Sequence, residues 1–348
     1  MTQVLRRRAN DIVPVPFPVM IADIGGTNAR LAVLPDTHSK LRPFPTVQTA
    51  EYDGFAQAAD AAVLDATAMM PRALLIALAG PLRDGPMKLT NASWVIDPAK
   101  LLHELHLETV IVFNDFEALS LSLPALEGDQ IVQIGAGTAE PRQPRVVLGP
   151  GTGLGVAALV YGDQSYTPLA GEGGHTTMGP VTKRDLEIWP HLEGRGGRVS
   201  GECLLSGDGL VRIFRAVAAV EGVDPTACGV GADVTTRADQ GDPVAREAVM
   251  LFLGYLGRLS GDLALVFMAK GGVYIAGGIP PRLAHYFEAS AFRAEFEAKA
   301  PHEALMARIP TFLVTEPRPA VAGLATFATM PERFAIDLSG RRFDRTPA

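Results

Sequence analysis

Two segments of this 348-residue chain, 19–34 and 146–160, follow nearly the same pattern: an apolar strand, a glycine-rich turn and a second apolar strand. The first turn reads Asp23-Ile24-Gly25-Gly26-Thr27-Asn28 and the second Gly149-Pro150-Gly151-Thr152-Gly153-Leu154-Gly155. Glycine adopts backbone conformations closed to other residues and lets another group approach the main chain, so each turn can offer N–H groups to an anion. One such turn alone reads equally well as a tight hairpin with no ligand. Two of them, one in each half of the chain, point to a clamp on a single polyphosphate. Asp23 and Thr27 add a carboxylate and a hydroxyl, the groups that hold a hydrated Mg²⁺ and a phosphate oxygen.

Neither turn is a Walker loop, because no Gly-Lys-Ser/Thr follows and each exit reads as a strand. The dinucleotide fingerprint fails for the same reason, since its third glycine packs a helix that should begin there.

The chain is long enough for two domains. Its 31 basic against 38 acidic residues leave a net charge of −7, which argues against a nucleic-acid surface. No apolar run reaches the length needed to span a bilayer, and the basic start Arg6-Arg7-Arg8 leads into Ala-Asn-Asp rather than the apolar stretch of a secretory signal. Cys203 and Cys228 are the two cysteines, far apart and without metal-spaced neighbours, so a disulfide framework and a structural zinc are excluded. The cytoplasm is the simplest compartment.

Between and beyond the hairpins, strands alternate with helices, the mark of an α/β protein whose ligands lie at strand C-termini. The pattern predicts an Ala-rich amphipathic helix over 52–70, buried strands over 73–79 and 109–113, and a helix over 101–107. Later come a strand at 131–134, a mostly helical stretch over 185–265 with a break near 222–233, and a strand over 272–279 ending in a double glycine. A helix over 281–299, a strand over 310–315 and a closing helix over 320–329 complete it. The expected small domain is 17–123 plus 320–330 and the large one 124–319, with 1–16 and 331–348 as flexible tails.

Asn114-Asp115 stands where the apolar strand ends and a helix starts. A carboxylate there projects from a rigid element into the substrate crevice, where a general base belongs. The competing reading is that Asp115 merely caps the helix. Glu172-Gly173-Gly174-His175 lies in a loop almost free of apolar side chains, able to fold on a small polar ligand or to be a surface turn. Glu202, in Ser200-Gly201-Glu202, reads alone as a solvated residue. Together, Asp115, Glu172, Glu202, His175, Asn114 and Asn91 would make a hydroxyl-rich pocket for a sugar. Two phosphate hairpins, one strand-end aspartate and a polyol pocket imply phosphoryl transfer from a nucleotide to a sugar hydroxyl.

Six motifs, in order, carry a resemblance to the bacterial glucokinase family. They are Ala22-Asp-Ile-Gly-Gly-Thr-Asn-Ala-Arg-Leu-Ala, Phe113-Asn-Asp-Phe-Glu-Ala, Gly149-Pro-Gly-Thr-Gly-Leu-Gly, Gly171-Glu-Gly-Gly-His, Ser200-Gly-Glu-Cys-Leu-Leu-Ser-Gly and Gly271-Gly-Val-Tyr-Ile-Ala-Gly-Gly-Ile. The resemblance runs from about Val19 to Ala328. It implies a two-domain actin-like ATPase (ribonuclease H-like) α/β fold, with duplicated phosphate-binding hairpins and an interdomain cleft.

It also implies that Asp115 takes a proton from the sugar 6-hydroxyl while Asn114, Glu172, His175 and Glu202 bind the other hydroxyls. Ala22, Asp23, Ile24, Gly25, Gly26 and Thr27 in one hairpin, and Gly149, Gly151, Thr152 and Gly153 in the other, would hold the phosphates of ATP. Asp23 would lie near Mg²⁺, and Gly277 and Gly278 beside the adenosine. Related repressor-type sugar kinases have a cysteine-rich zinc loop after the sugar-binding histidine, whereas this chain has Thr176-Thr-Met-Gly, which places it in the zinc-free branch. The expected partners are glucose, ATP and a second copy of the chain, with neither nucleic acid nor membrane. A kinase of another hexose or amino sugar, and a sugar-sensing regulator without turnover, are the rival readings.

Overall fold

The computed structural model describes residues 14–345 apart from 68, 81, 83, 84 and 90–92. Asn91, one of the expected pocket residues, lies outside the described residues. The described residues divide into two compact units: those within 1–126, 161–169 and 317–348 form the first, and those of 127–160 with 170–316 the second.

In the first unit, β1 (Val19–Ile24) and β2 (Asn28–Leu34) form the antiparallel hairpin read from the sequence. β3 (Ala73–Leu78) pairs parallel with β1, and β4 (Thr109–Asn114) parallel with β3. Strand Arg42–Pro43 lies beyond β2. Every residue of β3 is buried, as a strand covered on both faces requires, which is why it reads as a continuous apolar run. Met20, Ala22 and Ile24 alternate along β1 into one core with Leu74, Ile76, Val110 and Val112. On the other face, the closing helix Pro319–Thr329 sets Phe327 edge-on against Phe113, with ring centroids 5.1 Å apart.

The second unit repeats this plan. β5 (Ile131–Ile134) is an edge strand, β6 (Arg145–Pro150) and β7 (Leu154–Gly162) form the second hairpin, and the chain runs on into β8 (Ser165–Gly171), whose residues 165–169 fall in the first unit. β9 (Val273–Ile275) pairs parallel with β6, β10 (Thr311–Val314) parallel with β9, and β5 closes the far edge antiparallel to β10. Each unit therefore holds an antiparallel hairpin, two parallel strands stacked on its first strand, and an antiparallel edge. This is the duplicated ribonuclease H-like sheet of the actin-like ATPase fold.

Four expectations need correction. The helix expected over 52–70 is confined to Phe55–Ala59, prolonged by a wider turn over Asp60–Leu64. Its core-facing series Phe55, Ala59, Val63 meets polar Thr67 at the next position, so no apolar stripe remains to hold another turn. The helix expected over 281–299 divides into a 3₁₀ segment Pro280–Tyr286 and a helix Phe292–Glu297, and the Ser290 hydroxyl takes the Phe292 amide at 3.2 Å between them.

The third concerns membrane length. Helix Pro243–Phe267, at 25 residues, is long and apolar enough to cross a bilayer by length and composition, but 72% of its most apolar stretch is buried within the protein. It is the central core helix of the second unit, where Ala248, Phe252, Leu256 and Leu259 face the sheet core. The fourth concerns the C-terminal segment, which is held rather than loose. Strand Arg342–Asp344 pairs antiparallel with β4, and the Thr109 hydroxyl donates to Asp344 at 2.7 Å. The exposed edge of β4 supplies unpaired backbone groups, and this short charged strand satisfies them.

Candidate active site

In the first unit, the candidate residues lie at the C-terminal ends of β1 and β4. Gly25 N–H donates to the Asn28 carbonyl at 2.9 Å, closing the first turn. The Gly26 carbonyl accepts the Thr49 hydroxyl and the Thr27 carbonyl the Thr49 amide, both at 2.9 Å. In a trans peptide the C=O and the following N–H point oppositely, so the Thr27 and Asn28 amides face away from Thr49. Ala22 and Ile24 are buried in the sheet and position the turn.

Asp23 pairs in register with Arg30 across the hairpin, and the guanidinium donates to its carboxylate at 2.9 Å. Burial pushes the Asp23 carboxyl above its ordinary range, and Arg30 opposes that shift. Among the described residues no group of three His, Cys, Asp or Glu side chains could cage a metal. The donor set at Asp23 fits a Mg²⁺ that keeps most of its waters and takes its remaining ligands from substrate phosphates.

Asn114 caps the Asp115–Ser120 helix: its side-chain oxygen accepts the Phe116 and Glu117 amides at 3.0 and 3.1 Å, while its NH₂ donates to the Gly80 carbonyl at 3.1 Å. Glu117 completes a capping box by accepting the Asn114 amide at 3.3 Å. The cap is thus Asn114, not Asp115. Asp115 is the first helical residue, with one carboxylate oxygen accepting the Phe116 amide at 2.9 Å. Burial raises its pKa from 3.8 to about 6; the Phe116 amide opposes the shift and the negative charge of Asp23 adds to it. A carboxylate poised there can take a proton near neutral pH.

In the second unit, the candidate residues lie around the other hairpin. Gly151 N–H donates to the Gly153 carbonyl at 2.8 Å, the counterpart of the Gly25 closure. The Gly151 carbonyl accepts the Gly207 amide at 2.9 Å, which turns the Thr152 amide the other way. Glu202 accepts the Leu154 amide at 3.1 Å and pairs with Arg195 at 3.3 Å. A Cβ on Gly153 would lie 2.7 Å from that carboxylate, so a side chain there would push the tip of Glu202 aside.

Gly174 lies against the Leu154 carbonyl where a Cβ would collide, and Gly201 N–H donates to the Thr176 carbonyl at 2.9 Å. These contacts bring Glu172, His175, Glu202 and the Gly149–Gly155 turn into one cluster. Glu172 and His175 remain exposed, with His175 Nε2 3.6 Å from the Glu172 carboxylate. Gly277 has φ of +86° and packs on the Pro150 carbonyl so closely that any Cβ would clash, whereas Gly278 faces open space.

The structure also supplies partners that the sequence reading passed over. Arg30 was legible from the hairpin register, which sets it opposite Asp23. Glu117 was legible as the third residue after Asn114, the capping-box spacing. Arg195, from a separate loop, and Arg341, from the presumed tail, carried no local signal.

The glucokinase family model matches residues 20–331. A glucokinase of Rhizobium etli is 47% identical over 333 residues, covering 95% of this chain and 97% of its own. One of Sinorhizobium fredii is 48% identical over 328 residues, with 94% and 96% covered. Among solved structures, a glucokinase from an Antarctic psychrotroph superposes with a TM-score of 0.81 at 32% identity, covering 89% of this chain and 98% of that one.

Proposed function

Because this chain belongs to the glucokinase family, we propose that it transfers the γ-phosphoryl group of ATP to the 6-hydroxyl of glucose, with Asp115 as general base. The observation that carries the reading is the division of labour at the end of β4. Asn114 and Glu117 cap the helix, which leaves the Asp115 carboxylate to serve chemistry with a pKa of about 6.

Asp115 accepts the 6-hydroxyl proton as O6 bonds to the γ-phosphorus and the bond to the β-phosphate oxygen breaks, giving glucose 6-phosphate and ADP. The Thr27 and Thr152 amides, each turned outward by a carbonyl held on the opposite side, stabilise charge on the phosphates. Glu172 and His175 bind sugar hydroxyls. Glu202 supports the second turn and presents its remaining capacity to the sugar. Asp23 is the residue that would hold Mg²⁺, which when bound neutralises phosphate charge. Gly278 offers the open backbone beside which the adenosine fits. The reading extends to the cytoplasm, with which Cys203 and Cys228 as buried free thiols agree, and to a homodimer.

A coupled assay across a panel of hexoses and amino sugars, with ATP, ADP and polyphosphate as donors, tests this. The highest kcat/KM is expected for glucose with ATP. A higher value for an N-acetylated amino sugar would replace the substrate, and no turnover with any pair would replace the enzyme by a sugar-binding regulator.

A further inference from the structure

The helix that presents Asp115 is fastened from the far end of the chain. Glu117 is 5% exposed, and its two carboxylate oxygens receive the Arg341 guanidinium at 2.9 and 2.7 Å. Arg341 lies beyond residue 331, where the family match ends. Its own position is fixed by backbone: the Val112 amide donates to its carbonyl at 3.0 Å, and its Nε donates to the Asp337 carbonyl at 2.9 Å. The strand that follows it pairs along β4. An unbroken series therefore runs from Arg341 to the Glu117 carboxylate, from there to the Asn114 amide, and from the Asn114 cap to the first turn of the helix that carries Asp115.

A buried carboxylate needs a paired charge to stay buried. With Arg341 removed, Glu117 must turn toward water, and the capping box that orients Asp115 opens. We propose that Arg341 is a positioning residue for phosphoryl transfer: through Glu117 and Asn114, the C-terminal segment fixes the direction in which the Asp115 carboxylate points. This rests on the reading of Asp115 as the base.

Steady-state kinetics of the full chain with Arg341→Met, Arg341→Lys, Glu117→Gln/Arg341→Met and Asp115→Asn test it. Small misplacements of a reacting group cost rate out of proportion to their size. Arg341→Met is expected to lower kcat by about 10- to 100-fold, with KM for glucose and ATP within about 3-fold of wild type. Arg341→Lys should recover part of the loss. The double variant should recover more, because the neutral side chain that Glu117→Gln introduces can stay buried and still accept the Asn114 amide.

Arg341→Met and Arg341→Lys with wild-type kcat and only a lower Tm would overturn the proposal and leave a structural ion pair. If Arg341→Met fails to fold, the lysine and double variants carry the same comparison. An active Asp115→Asn would instead remove the base, a failure separate from that of the Arg341 relay.

Discussion

Asp23 stands on β1 and Asp115 directly after the end of β4, with only β3 between those two strands, and the charge on Asp23 opposes ionisation of Asp115. Together with burial, the larger cause, this holds the Asp115 pKa at about 6. A base is inert while protonated, so kcat/KM for glucose should rise tenfold per pH unit well below pH 6 and level off above it. A pH–rate profile over about pH 4.5 to 8.5 checks this. A flat profile through pH 6 would mean that no group of this pKa controls the reaction.

Asp115→Asn should separate rate from stability. The amide keeps the size and can accept the Phe116 amide, but it cannot take the hydroxyl proton, so kcat should fall by roughly 10²–10⁴-fold with little change in glucose affinity. The stability effect runs the other way. Because the folded pKa lies above the ordinary 3.8, the folded chain is favoured most below pH 4 and loses that advantage as pH rises through 6. At pH 8 the wild type therefore bears the burial of an ionised carboxylate, and Asn should be more stable by about 1–3 kcal/mol, a difference that vanishes near pH 4. Chemical denaturation at the two pH values measures it. Equal stability at pH 8 would show that the carboxylate is well solvated.

The glycines divide into those the free protein needs and those a ligand needs. A Cβ on Gly25 would lie 3.6 Å from the Asn28 carbonyl, and one on Gly151 would lie 4.0 Å from the Gly153 carbonyl, both ordinary contacts. Gly25→Ala and Gly151→Ala should fold with Tm near wild type and still raise the KM for ATP, since the added methyl obstructs a phosphate approaching the backbone. Gly277→Ala must strain a φ of +86° and displace the Pro150 carbonyl, so it should lower Tm and weaken both substrates. Unchanged ATP KM in the first two variants would make the turns structural.

The two hairpins, the strand-end aspartate and the glycine-rich loop were legible because each is a local pattern whose chemistry is written in consecutive residues. The first unit's closing helix was legible for the same reason. What was not legible depends on pairing across large sequence separation. Arg341 meets Glu117 only because β4 leaves an edge open, and Arg195 meets Glu202 only through loop packing. The helices over 52–70 and 281–299 were overextended because alanine content favours a helix without saying where its buried face ends, and that end is set by Thr67 in one and by Ser290 in the other.

Glu202 distinguishes support of the donor turn from contact with the sugar. Its carboxylate holds the Leu154 amide and Arg195, so Glu202→Ala leaves a backbone N–H at the second hairpin without its partner and leaves Arg195 with Asp208 alone of its two carboxylates. Both KM values should rise, and Glu202→Gln, whose amide oxygen can still accept from Leu154, should recover the ATP KM more than the glucose KM. Glu172→Ala and His175→Ala act on exposed side chains and should leave Tm and the ATP KM unchanged. Loss of a partner to a desolvated hydroxyl costs about 1–3 kcal/mol, so each should weaken glucose binding by roughly 5- to 150-fold. Calorimetry with glucose alone, beside kinetics varying ATP, separates the two classes. A Glu202→Ala variant that loses glucose but keeps the wild-type ATP KM would reassign Glu202 to the sugar alone.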